Sequence, residues 1–163
     1  MNNTTKAIVL FIVCLFIATH SVASAQEIEA LKGVKSAKAI FDFRIDNLKS
    51  AALHLKLIHQ TFVDLSTAKK NPDFKVVFIG PSVKLISKNR AGFAAEDNKT
   101  LDEIAEAVSA LSKDGAGIEV CLIAASLFKV DPASVLPEIK GVENGWFSLI
   151  GYQTQGYALV PNY

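Results

Sequence analysis

Cys121 closes the run "GIEVC" (Gly117–Cys121) and is one of two cysteines in 163 residues. A thiolate here would be a nucleophile. The other reading of Cys121 is a small buried hydrophobe within a core strand, where free cysteine is often found. Cys14, the second cysteine, lies in an apolar segment that is expected to be removed, so no intramolecular disulfide is expected. His54 and His59 are five apart on a helical stretch, about 140° around it, and cannot share a metal as an i, i+4 pair can. His20 belongs to the leader, so no zinc pattern and no metal are expected. "GPS" (Gly80, Pro81, Ser82) is too short for a phosphate loop and reads as a turn, with close ligand approach as the alternative. Ser82 lacks the histidine and acid of a hydrolase nucleophile. Asp42, near the end of an apolar run, needs a partner if buried, and Arg44 or Lys84 could supply one. No flavin or other cofactor site is recognisable. The candidate site is therefore Cys121 as thiol, with Asp42, Gly80, Pro81 and Ser82 as its pocket.

Those residues need elements to position them. "KAIFDF" (Lys38–Phe43) reads as a strand. Asp46 or Asn47 then caps a helix whose Leu48, Ala51, Leu55, Ile58, Phe62 and Leu65 form one buried stripe. "FKVVFIG" (Phe74–Gly80) is an unbroken apolar run, as expected of a strand buried on both faces. A short helical turn follows through Val83–Ile86. "TLDEIAEAVSALSKDG" is the clearest helix, with Thr100 and Glu103 as a capping box and Leu101, Ile104, Ala105, Val108 and Leu111 facing inward. "GIEVCLIA" (Gly117–Ala124) reads as the third strand and "EIKGV" as a fourth. "NGWFSLIGYQTQ" reads as a helix and "GYALVP" as the last strand. Solid apolar strands alternating with helices predict an α/β fold, a three-layer flavodoxin-like sandwich on a mainly parallel five-stranded sheet. Ligands of such sheets bind beyond the carboxyl ends of the strands. Cys121 and "GPS" belong at that edge, and a helix start after Cys121 favours the anionic sulfur.

The start of the chain bears on compartment. Lys6, the apolar run "AIVLFIVCLFIA" (Ala7–Ala18) and "ASA" (Ala23–Ala25) have the layout of a secretory signal peptide. Cleavage after Ala25 predicts a periplasmic or secreted protein that leaves the membrane. The expected organisation is residues 1–25 as signal peptide, 26–37 as N-terminal lead and 38–163 as one domain. The chain has 17 Lys and Arg, Lys6 among them, against 16 Asp and Glu. That balance, without a basic run, argues against nucleic acid as a partner.

From "IFDF" through "VVFIGPSVKLI" and "GAGIEVC" to "NGWFSLIGYQTQGYALVP", the chain resembles the DsrE/DsrF-like family of small sulfur-relay proteins. The order and spacing of these segments carry the resemblance, and its closest likeness is to exported members. It implies a flavodoxin-like fold, homo-oligomers that are often trimers or hexamers, and a sulfur donor or acceptor protein as partner. In characterised members a cysteine after the third strand carries a persulfide, and Cys121 stands at that position. Two features depart from the pattern. The arginine-glycine pair that often follows the cysteine is replaced by "SLFKVD", and Ile79 stands where relatives often carry histidine. The resemblance thus implies a persulfide carrier. The alternatives are a non-catalytic periplasmic binding or assembly module that keeps the fold and, last, a small flavodoxin-like reductase.

Overall fold

The computed structural model describes residues 28–163; the expected signal peptide and Cys14 lie outside them. The described residues fall into two units, one ending at Gly33 and the other Val34–Tyr163. The described part of the first holds one 3-10 turn, Glu29–Leu31.

The second unit contains β1 (Lys38–Phe43), α1 (Leu48–Thr67), β2 (Asp73–Phe78), α2 (Asn98–Lys113), β3 (Gly117–Cys121), α3 (Leu122–Leu127), β4 (Lys140–Val142), α4 (Gly145–Thr154) and β5 (Ala158–Asn162). Short 3-10 segments at Gly80–Ile86, Ala95–Asp97 and Pro132–Ser134 fill the connections. The five strands form one sheet in the order β4-β3-β2-β1-β5, and every pairing is parallel. This is the expected α/β architecture. The strand flanking β1 is the last one, β5, where flavodoxin has its second.

The register sorts the side chains into two unlike faces. Phe41, Phe43, Phe74, Val76, Phe78, Ile118 and Val120 share one face, and α1 packs there through Phe62, whose ring meets Phe74 at 5.4 Å. Phe41 with Phe74 and Phe43 with Phe78 extend the aromatic layer. Ile40, Asp42, Lys75, Val77, Glu119 and Cys121 share the opposite face. There α4 lies across the sheet, with Tyr152 bonded to Glu119. The charged side chains and the thiol thus fall on the α4 face, while the α1 face is apolar apart from Asn162 of β5, the register partner of Phe43.

Local chemistry explains the helix limits. Asn47 caps α1, its side-chain oxygen accepting from the Ser50 N–H at 3.0 Å. Helix α2 starts earlier than the expected cap. Thr100 lies inside it, because Ala95–Asp97 already turns and the Asp97 carboxylate accepts from the Ala94 N–H at 3.1 Å. Its buried stripe is Leu101, Ile104, Ala107, Val108 and Leu111, with Ala107 in the place expected for Ala105. The third strand stops at Cys121. "LIA" is the first turn of α3, a short apolar run whose periodicity does not separate helix from strand.

Candidate functional site

A cavity of about 230 Å³ opens beyond the carboxyl ends of β1, β2 and β3, lined by Arg44, Ile79, Gly80, Cys121, Asn144, Trp146 and the α3 residues with Phe128. Each strand ends by delivering one wall. Arg44 follows β1, Ile79 and Gly80 follow β2, and Cys121 ends β3. Gly80 turns the chain with φ 67°, a left-handed conformation that side chains rarely adopt. Pro81 follows in the first turn of the 3-10 segment, where its missing N–H is harmless.

Cys121 is 4% exposed and lines this cavity. Its Sγ accepts from the Ala124 N–H at 3.5 Å, so the thiol is also the cap of α3. The first turn of α4 presses on it from the other side. A Cβ at Gly145 would lie 3.0 Å from Cys121 Cβ and 2.9 Å from Ile79 Cγ1. Asn144 caps α4 by accepting from the Trp146 N–H at 3.0 Å.

The expected pocket residues divide by role. Cys121 and Gly80 meet in the cavity. Asp42 is buried and does not line it; both its oxygens accept from Arg44 Nε, at 2.9 and 3.0 Å. Asp42 thereby fixes a guanidinium that does line the cavity and brings positive charge to the thiol's surroundings. Ser82 is fully buried, and its hydroxyl donates to the Phe43 and Ile79 carbonyls at 2.8 and 3.0 Å. It ties the β1 and β2 ends together. Of the walls, Arg44 was legible as a partner for Asp42 and as the residue that follows the first strand at the ligand edge. Asn144, Gly145 and Ile79 were not legible as site residues, since nothing local links them to Cys121.

His54 and His59 do not line this cavity. His54 Nδ1 meets Asn162 Oδ1 at 3.1 Å, and His59 Nε2 meets Asp114 Oδ2 at 2.7 Å. Among the described residues, no three His, Cys, Asp or Glu side chains group as metal ligands. No helix of the described residues is long and apolar enough to cross a membrane.

The chain is similar to an uncharacterized protein of Aquifex aeolicus, 26% identical over 125 residues that make up 76% of this chain. It spans about half the length of that relative, 55%. The fold is similar to that of MTH1491 from Methanobacterium thermoautotrophicum, a protein of unknown function, with TM-score 0.62 and 17% identity over 77% of this chain and 99% of that one. It is also similar to the YchN protein of E. coli, with TM-score 0.57 and 12% identity over 78% and 99%. A family model matches residues 15–161, nearly the whole chain including the cysteine-bearing edge, and the chain belongs to the DsrE/DsrF-like family.

Proposed function

We propose that this protein is a sulfur carrier in which Cys121 holds sulfane sulfur as a persulfide. The observation that carries the reading is the setting of Cys121. It ends a central strand at the wall of a cavity, with a backbone N–H on its sulfur and the Arg44 guanidinium in the same lining. In the loading step the Cys121 thiolate attacks the outer sulfur of a donor persulfide. One sulfur–sulfur bond forms, another breaks, and the donor leaves as its thiolate with no net oxidation. Transfer to an acceptor thiolate is the same exchange in reverse. In this proposal the carrier works outside the cytoplasm and as a homo-oligomer, and N-terminal sequencing of the exported protein is expected to begin at Gln26.

Mass spectrometry of the folded protein after exposure to a small-molecule persulfide tests the sulfur step. The expected result is the added mass of one sulfur atom, removed by reductant and absent in Cys121→Ser. No adduct, together with no alkylation of Cys121 until the chain is unfolded, would overturn it. The second reading, a non-catalytic binding or assembly module, is favoured by one observation. The thiol is 4% exposed, while Trp146 and Leu127 around it are 58% and 74% exposed.

A further inference from the structure

Arg44, Ile79 and Cys121 stand side by side where three strands end. They follow Phe43, Phe78 and Val120, which share one register row. The Cα atoms of Arg44 and Cys121 are therefore two strand spacings apart, roughly 10 Å. Asp42 holds the arginine by Nε alone, at 2.9 and 3.0 Å. The guanidinium carbon lies over the Tyr163 ring, 5.9 Å from its centre, and a contact through the face leaves the edge donors free. Neither Nη group bonds a protein acceptor among the described residues. The arginine side chain is 34% exposed and that of Asp42 is 4%, so solvent reaches the arginine and not its anchor.

Among the described residues that line the thiol's cavity, Arg44 alone is charged. Ile79, Ile123, Leu127, Phe128 and Trp146 make the other walls largely apolar. Hydrogen bonds between charged groups gain strength in such surroundings. The two Nη groups of a guanidinium match the two oxygens of a carboxylate. The cavity of about 230 Å³ is smaller than the roughly 300–1,000 Å³ of drug-sized sites, so its occupant is small. Cys121 is 4% exposed, so sulfur has to reach it on something narrow.

We propose that Arg44 selects the sulfur donor: a small thiol persulfide bearing a carboxylate, which the Nη groups bond while the outer sulfur faces Cys121. This rests on the sulfur-carrier reading and names its substrate class. The exchange is the one already written, with a carboxyalkyl thiolate as leaving group. Two measurements keep donor choice apart from sulfur chemistry. The first compares alkylation of Cys121 in the folded chain by iodoacetate and by neutral iodoacetamide. Both reagents meet the same thiolate, so their rate ratio is insensitive to a general change in its exposure. The ratio should exceed that of the unfolded chain at least about tenfold, and should fall back in Asp42→Asn/Arg44→Gln, which replaces the buried ion pair by a neutral one. If that variant does not fold, propionate decides: it should slow iodoacetamide saturably in the native protein, and propanol should not. The second compares loading by the persulfides of 3-mercaptopropionate and 2-mercaptoethanol, with the first faster at least about tenfold. An unchanged alkylation ratio, or no protection by propionate where that decides, would overturn the anion site. Equal loading by both donors would overturn the substrate class and spare the sulfur reading. No adduct from either donor would overturn both.

Discussion

Asp42 and Arg44 show how one pair can serve both stability and site. The carboxylate is 3% exposed, and its charge is tolerated because the Arg44 Nε–H bonds both oxygens. Arg44→Ala strips that partner and should lower stability by about 1–3 kcal/mol in urea unfolding. Adding Asp42→Asn should recover part of the loss, since the orphaned charge is then gone. A second residue-scale device lies at the other end of the sheet. Burial, the hydrogen bond to Glu119 and the charges of Glu119 and Asp73 push the Tyr152 hydroxyl from 10.0 up to about 12. Burial, the hydrogen bond to Asp73 and the charges of Asp73 and Tyr152 do the same to Tyr157, also to about 12. Burial pushes Asp73 up, but hydrogen bonds from Lys75 and Tyr157, with the charges of Lys75 and Lys38, outweigh it and hold Asp73 below 3.8. The folded state holds the tyrosine protons more tightly than the unfolded chain. Their stabilisation is complete below pH 10 and is lost as pH rises through about 12. Thermal melts across that window should fall steeply for the native protein and less so for Tyr152→Phe/Tyr157→Phe. The Asp73 contribution has the opposite sense, present above its ordinary 3.8 and lost as pH falls through its lowered value.

At the scale of elements, α4 is seated by the absence of one side chain. Gly145 lets its first turn touch Ile79 and Cys121. Gly145→Ala forces helix and strand apart and should cost about 1–3 kcal/mol, as overpacking does. Cys121 should also alkylate faster in the folded variant, a change that lost stability alone would produce only near the melting transition. This dependence on Gly145 was invisible in the sequence, because it arises between residues of three elements. Ser82 was hidden for the same reason, its hydroxyl being spent on the Phe43 carbonyl far away in the chain. What was legible rested on local pattern. Solid apolar runs marked β1, β2 and β3, a three-to-four-residue stripe marked α1, and the strand-end rule put Cys121 and Gly80 at one edge. The end of β3 was not legible, since "CLIA" is equally apolar as strand or helix.

At the scale of the whole molecule, α3 and α4 carry exposed apolar side chains. Trp146, Phe147 and Ile150 on α4 are 58%, 65% and 63% exposed, and Leu127 on α3 is 74% exposed. Such a patch favours contact with another apolar surface. If a second copy covers it, light scattering should give a mass above that of the monomer. Trp146 is the chain's one tryptophan, so its emission should shift to shorter wavelength as concentration rises. Trp146→Glu should abolish both effects while the circular dichroism stays unchanged. A constant monomer mass at high concentration would remove the homo-oligomer from the proposed function.

The sheet order also sets a timetable. Ala39 in β1 pairs with Ala158 in β5, so one side of the first strand stays open until the last strand of the sheet has been made. Until then β1 offers an open row of backbone donors and acceptors to any passing strand. A ribosome stalled after α4 would release a product with four strands laid down and its first strand still exposed.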